Sequence, residues 1–299
     1  MLKSLNDLYK LLDKKKEPKK LVLAVAEEIE SLEAVCAAKA EGFIDAILVG
    51  NEDLIIKILN KLNVDTSSFE IINEKNNVEA ARLAVKLVHD NQADILMKGG
   101  VGTSDLLKAV LNKDYGLRKG DLLSHFALFE IKGYHKLLAL TDVAINIAPA
   151  FHDKIAIIRN SVDFLHKLGI KVPKIAAIGA VEMVNEHMQA TLDAALLAIM
   201  AQRKQFKNCI IDGPLAFDNA ISKESAIHKK IDSNVAGDAD LLFLPDIEVG
   251  NVLYKSLVFF ANAQMACIIL GARAPIVLTS RSDSMQAKLY SILLAVSTL

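Results

Sequence analysis

The sequence predicts an α/β protein built on a parallel sheet. Three observations carry this. Apolar, strand-like runs alternate with helical patterns over almost the whole length, as strands covered on both faces by crossover helices require. Several of those runs stop abruptly in glycine or in polar and charged residues just before a helix begins, which is where an open α/β sheet places its chemistry. One connection after Leu117 is too short for a parallel crossover and requires an antiparallel pair.

The elements follow in order. Residues 20–26 are apolar and read as a buried strand, and 27–41 are alanine-rich and charged and read as a helix. The alternation continues with strand 45–50, helix 52–62, short strand 70–73, helix 77–90 and buried strand 93–98, then a glycine-rich loop and a helix from Ser104 to about residue 112. Residues 122–131 and 136–148 are the two strand-like runs joined by Lys132-Gly133-Tyr134-His135, and a second domain begins there. Helix 152–168, strand 174–181, helix 186–203, strand 209–212, helix 218–229, strand 241–244, helix 249–264 and strand 266–270 complete it. The last strand, 275–279, and helix, 284–298, could belong to either domain.

Bulk properties exclude several classes. The chain has 299 residues, 52% of them hydrophobic, enough for two lobes. A net charge of −1 offers no broad cationic surface for nucleic acid or acidic membrane. The basic cluster Lys14, Lys15, Lys16, Lys19, Lys20 reads as a solvated linker before the first strand. Tryptophan is absent, so a base-stacking platform is not expected. Cys36, Cys209 and Cys267 have neither zinc nor redox spacing, which points to reduced thiols and a cytoplasmic location. The first thirteen residues lack the pattern of a signal peptide, and no apolar run reaches the ~20 residues of a membrane span.

Two strand ends stand out. Lys98-Gly99-Gly100-Val101-Gly102-Thr103-Ser104 reads as strand, glycine loop and helix start. It is either an anion cradle, in which helix-start N–H groups hold a phosphate, or a tight turn with Thr103 or Ser104 as N-cap. It is neither a P-loop nor a dinucleotide fingerprint. Lys98, Lys108 and Arg118 add positive charge nearby. Thr279-Ser280-Arg281-Ser282-Asp283-Ser284 offers hydroxyls, a guanidinium and a carboxylate that could converge on one anion; the alternative is a helix cap and an ion pair. Asp246, Glu248, Asn251 and Lys255 follow strand 241–244, and Asp212 and Asp218 flank the end of strand 209–212. These carboxylates are either caps or ligands for Mg²⁺. Glu182 follows strand 174–181 in a similar way. His125, His135, His152 and His187 pair with no nucleophile at a recognisable spacing and are expected at the surface or in packing.

Together these blocks resemble the phosphate acetyltransferase/phosphate butyryltransferase family, and more closely its butyryl branch. The resemblance rests on Leu96-Met97-Lys98-Gly99 with Thr103-Ser104; on Leu122-Leu123-Ser124-His125 with Phe129-Glu130; and on Asn146-Ile147-Ala148-Pro149. It continues through Met188-Gln189-Ala190-Thr191, Asp212-Gly213-Pro214-Leu215 and Val235-Ala236-Gly237-Asp238-Ala239-Asp240. It ends with Pro245-Asp246-Ile247-Glu248, Gly250-Asn251-Val252-Leu253-Tyr254-Lys255 and Ala274-Pro275-Ile276-Val277-Leu278-Thr279-Ser280-Arg281.

The resemblance implies a two-lobed α/β/α fold like that of the isocitrate and isopropylmalate dehydrogenases, with the active site in the cleft between the lobes, and a homodimer. It implies that the last strand and helix return to the first lobe, so the expected domains are 1–120 with 272–299, and 121–271. It implies the reaction acyl-CoA + phosphate ⇌ acyl phosphate + CoA, with short-chain acyl-CoA, inorganic phosphate and acyl phosphate as substrates. CoA enters as a substrate and no other cofactor or metal is expected. By the same resemblance Ser280 matches the serine that stabilises the oxyanion, and Arg281 the arginine that holds the phosphoryl group. The acetyl-type pattern has an aspartate seven residues after the serine; here that position is Ala287. Asp283 is taken as the base in its place, with Glu182 or a histidine as alternatives. Gly100, Thr103, Ser104, Lys108, Asn251 and Lys255 are the expected phosphate and CoA contacts. Two other readings compete: a metal- and NAD(P)-dependent decarboxylating dehydrogenase of similar fold, and a non-catalytic CoA or acyl-phosphate binding module.

Overall fold

The computed structural model describes residues 2–12, 17–120 and 122–299. Lys14, Lys15 and Lys16 of the basic cluster lie outside the described residues, while Lys19 and Lys20 open the first strand. The chain forms two compact units, Leu8–Asp121 with Ala266–Leu299 and Met1–Asp7 with Leu122–Met265.

The first of these units alternates strand and helix: α1 (Leu8–Leu11), β1 (Lys19–Ala24), α2 (Ile29–Ala40), β2 (Ile44–Gly50), α3 (Glu52–Lys61), β3 (Glu70–Asn73), α4 (Asn77–His89), β4 (Ile95–Lys98) and α5 (Thr103–Val110). Every residue of β4 and the last four of β1 are buried, as strands covered on both faces must be. Helix starts are fixed locally: Asn51 and Asn76 accept N–H bonds from the first turns of α3 and α4.

The other unit holds β5 (Ser124–Glu130), β6 (Leu138–Thr141), α6 (Phe151–Lys167), β7 (Lys174–Ile178), α7 (Gln189–Gln202), β8 (Ile210–Leu215), α8 (Phe217–Ile221), α9 (Lys223–His228), β9 (Leu241–Phe243) and α10 (Ile247–Phe259). The chain then closes with β10 (Gln264–Leu270), β11 (Ile276–Val277) and α11 (Met285–Val296).

In the first unit the strand order is β3-β2-β1-β4-β11-β10. β1 is parallel to both β2 and β4, and β11 lies parallel to β4, pairing Ile276 with Leu96 and Val277 with Met97. β10 runs antiparallel to β11. In the second unit the order is β5-β6-β9-β7-β8, with β5 and β6 the expected antiparallel pair and the remaining pairs parallel.

Several expected elements are shorter than the sequence pattern suggests. The run 136–148 stops as a strand at Thr141. Asp142 ends it: its carboxylate accepts the N–H groups of Ala144 and Ile145, the Asn146 amide and the His125 N–H, so a side chain takes over the role of the ladder. Helix 218–229 is two helices, broken at Ser222, which is extended and caps α9 through the Ser225 N–H. The helix expected from 186 begins at Gln189, because Asn185 and Thr191 bond to each other across the preceding turn. The strand 275–279 is reduced to Ile276 and Val277.

The matched block Val235–Asp240 belongs to a polar network at the starts of β6, β7 and β9. Lys136, 3% exposed, donates to Asp240 at 2.6 Å and to the Asp238 carbonyl at 2.9 Å. Lys174 and His135 reach the Asp238 carboxylate at 2.5 and 2.8 Å. Burial alone would raise the Asp238 pKa, but the hydrogen bonds from Lys174, Lys136 and His135 outweigh it and hold the carboxyl well below the usual range.

Two outcomes follow for stability. Lys136→Met leaves Asp240 buried without its cation and should destabilise by about 3–5 kcal/mol in urea unfolding at neutral pH. The Asp238 contribution has a definite sign: a depressed pKa in the folded state stabilises above the unfolded value of ~3.9 and is lost as pH falls through the folded value. The stability gap between the parent protein and Asp238→Asn should therefore be flat from about pH 5 upward and shrink only in strong acid.

Candidate active site

β4 ends at Lys98, and the glycines that follow turn along β1. Gly99 N–H donates to the Ala24 carbonyl at 2.9 Å and Gly100 N–H to the Val25 carbonyl at 2.7 Å. A Cβ at position 99 would lie 2.3 Å from the Val25 oxygen, so the glycine is required by a close backbone approach. This corrects the cradle expectation for Gly100: its amide is committed to β1. The N-cap of α5 is Gly102, not Thr103 or Ser104. Asp105 and Leu106 both return their N–H groups to the Gly102 carbonyl, whereas the amides of Thr103 and Ser104 have no partner among the described residues. Both residues are exposed at the positive end of the helix. Lys108 is exposed one turn on and pairs with Asp105 at 3.2 Å.

β11 delivers the second segment beside the first. Ser280 N–H donates to Asp283 Oδ2 at 2.6 Å, Asp283 N–H donates to the Ser280 carbonyl at 3.1 Å, and the Ser280 and Ser282 hydroxyls lie 3.0 Å apart. Ser284, not Asp283 or Ser282, caps α11 through the Ala287 N–H. Ser280 and Arg281 are exposed, while Asp283 is buried. Arg281 Nη2 donates to the Gly100 carbonyl at 3.0 Å, which joins the two strand-end loops directly.

Three further residues complete this cluster; the sequence reading placed only Lys98 near it, as added positive charge, and gave Lys288 and Glu28 no site role. Lys98 is buried, not a surface lysine, with its Nζ 3.1 Å from the Gly99 carbonyl. Burial lowers its pKa, helped by the Arg281 and Lys288 charges and opposed by Glu28 and Asp283. Lys288 is fully buried, donates to the Asp283 carbonyl at 3.2 Å and pairs with Glu28 at 3.6 Å. Glu28 also accepts the Ser31 hydroxyl. Lys288 does leave a signal in the sequence, as the one charge in the otherwise apolar or neutral helix Met285–Val296. Glu28 leaves none, because a glutamate in a helix start reads as a surface residue. The cluster thus sets Lys98, Arg281 and Lys288 against Glu28 and Asp283, an arrangement suited to taking up an anion.

The other expected residues lie in the second unit. Asn251 donates to the Val143 carbonyl at 3.3 Å, and Lys255 is exposed four residues further along α10. Asp246 is the N-cap of that helix. Glu182 and Asp218 share Lys229, and Asp212 accepts the Gly213 N–H. Among the described residues no group of three or more His, Cys, Asp or Glu is placed to hold a metal ion. His125 is buried in β5, edge-on to Tyr254. Burial pushes the Cys36 and Cys209 thiols up to about 11, Cys36 with help from Glu33, so neither is an activated nucleophile. Among the described residues no helix is long and apolar enough to cross a membrane.

Fold and cluster define a mixed α/β protein that gathers cations, hydroxyls and a helix start at adjacent strand ends, the layout of an enzyme for phosphate-bearing substrates. The family is given by comparison with known proteins. The phosphate acetyl/butaryl transferase family model matches residues 7–84 and 73–296, and the chain belongs to that family. It is 48% identical to the phosphate butyryltransferase of Clostridium acetobutylicum over 99% of this chain and 98% of the relative. It is 43% identical to the phosphate acetyltransferase of Thermotoga maritima, covering 93% and 94%. The crystal structure of a branched-chain phosphotransacylase from Enterococcus faecalis superimposes with a TM-score of 0.83 at 35% identity, covering 94% of this chain and 98% of that one.

The Gly99 contact is testable. Gly99→Ala forces the loop off β1 and moves the Gly100 carbonyl that holds Arg281. It should cost about 1–3 kcal/mol in denaturant unfolding, the range for overpacking, and weaken phosphate binding measured by calorimetry.

Proposed function

We propose that the chain catalyses acyl-CoA + phosphate ⇌ acyl phosphate + CoA for a short acyl chain of the butyryl or acetyl type. The observation that carries this is the seating of β11 beside β4, which brings Ser280, Arg281 and Asp283 to the loop of Lys98 and Gly100, within a chain that matches the family over nearly its full length.

In this reading the CoA thiol loses its proton to Asp283, and the thiolate attacks the carbonyl carbon of the acyl phosphate. Ser280 Oγ donates to the oxyanion that forms, a placed donor of the kind that stabilises developing charge. The carbon–oxygen bond to phosphate then breaks and Arg281 holds the departing phosphoryl group through its planar fork. Gly100 contributes through its carbonyl, which fixes the guanidinium. The amides of Thr103 and Ser104, with Lys108, meet phosphate oxygens. Asn251 and Lys255 contact CoA. Ala287, buried in the first turn of α11, offers no carboxylate, which is why the proton acceptor is placed at Asp283.

No metal and no cofactor beyond the substrate CoA enter this scheme, since the charges are met by side chains and helix-start amides. The two-lobed dehydrogenase-like fold, with discontinuous domains bounded near residues 120 and 272, is part of the proposal. So is a homodimer, for which α10 offers the exposed Val252 and Phe259, with Phe260 just beyond it. A cytoplasmic location fits substrates that are polyanions and do not cross a bilayer unaided.

The deciding assay is thiol release from acyl-CoA in the presence of phosphate, with and without EDTA. Phosphate-dependent release unaffected by EDTA supports the reading. Complete, reversible loss on metal removal supports the dehydrogenase-like alternative, and binding without turnover supports the non-catalytic one. Arg281→Lys keeps the charge but loses the fork, and should lower kcat/KM by roughly 10²–10³, chiefly towards phosphate or acyl phosphate. Asp283→Asn should lower kcat by roughly 10²–10⁴ with a smaller change in KM; near-normal kcat in a folded variant moves the proton acceptor elsewhere.

A further inference from the structure

We propose that the fully buried Lys288 and the half-buried Glu28 form a clasp that sets the position of the Ser280–Asp283 loop for turnover, a role that rests on the acyl-transfer reading above. Lys288 has no exposed surface and reaches the loop from within α11, donating to the Asp283 carbonyl at 3.2 Å. Asp283 in turn binds Ser280 twice, its carboxylate taking the Ser280 N–H and its own N–H meeting the Ser280 carbonyl. A displacement of Lys288 therefore passes to the Ser280 backbone through two short links. On its other side Lys288 pairs with Glu28, whose second oxygen accepts the Ser31 hydroxyl of α2. The clasp thus ties the loop after β11 to the loop after β1, whose Ala24 and Val25 carbonyls also fix Gly99 and Gly100. Both halves of the anion site are referred to one support.

The physical case is that the arrangement is a poor way to gain stability alone. Burying an ammonium is costly, and a pair at 3.6 Å with one further hydrogen bond repays little of that cost. Position 288 lies on a helix whose Leu289, Ile292, Leu293 and Leu294 are all buried, so an apolar side chain there suits the helix core. What the ammonium supplies, and a methyl group cannot, is a directional bond to the Asp283 carbonyl.

Three variants test this: Glu28→Gln, Lys288→Met and the double variant Glu28→Gln/Lys288→Met. Each is measured for thermal stability, for kcat and KM in the thiol-release assay, and for amide hydrogen exchange at Ser280 and Asp283. Both single variants should lose stability because Glu28→Gln strands the fully buried Lys288 and Lys288→Met strands the half-buried Glu28. The double variant should recover stability but not rate: kcat stays down roughly 10²-fold, the scale of an ångström-level misplacement, with KM for acyl-CoA within about twofold. Exchange at Ser280 and Asp283 should be faster in all variants lacking Lys288. Recovery of kcat together with stability in the double variant makes the pair purely structural and overturns the proposal. So does unchanged exchange in the loop. If Lys288→Met alone does not fold, the double variant and Glu28→Gln carry the test. Absence of turnover in the parent protein refutes the acyl-transfer reading, and with it the rate arm of the proposal, while the exchange arm still decides whether the clasp holds the loop.

Discussion

The pairing of β11 with β4 is the constraint from which the site follows. β11 is only Ile276 and Val277, yet both are buried, and their parallel register with Leu96 and Met97 leaves Leu278 beside Lys98. Adjacent strands lie about 4.8 Å apart, so the two loops leaving those strands start within side-chain reach. The Arg281–Gly100 hydrogen bond is the direct result. Without that short ladder, Ser280 to Asp283 would be a polar turn with no reason to meet the glycine loop almost two hundred residues earlier in the chain.

Ionic groups are buried at both kinds of strand end, and the difference between them is informative. At the starts of β6, β7 and β9, Lys136 and Lys174 face Asp238 and Asp240, two charges against two, with short hydrogen bonds. Such a network is satisfied and has no call on a ligand. At the ends of β4 and β11 the cations Lys98, Arg281 and Lys288 exceed the carboxylates Glu28 and Asp283 by one. An excess of positive charge in a partly buried place costs free energy unless an anion relieves it. The Val235–Asp240 block thus serves the fold, whereas the blocks at 96–104 and 274–281 lead into the charged cluster at the candidate site.

The glycines at 99 and 100 are legible in the sequence as a loop that is either an anion cradle or a tight turn; the structure uses them for the tight turn, which brings the loop against the end of β1. The amides without a partner among the described residues are one turn further on, at Thr103 and Ser104. Likewise Ser284, rather than its neighbours, takes the cap of α11, which releases Asp283 to hold the Ser280 amide. Three candidate caps in a row are equivalent by propensity, and the choice among them depends on where the strand before them ends.

Periodicity and punctuation determined the alternation of strands and helices, the antiparallel pair after Leu117 and the two strand ends worth attention, because burial on both faces and turn chemistry are written locally in residue type. The premature ends of β6 and β11 and the break at Ser222 were decided by tertiary structure, since a strand lasts only as long as its partner and a side chain such as Asp142 can displace the ladder. The buried state of Lys98, and the roles of Lys288 and Glu28, were likewise beyond the sequence. A lone lysine or glutamate reads as a solvated charge, and only the packing of α11 along α2 brings the fully buried Lys288 to the half-buried Glu28.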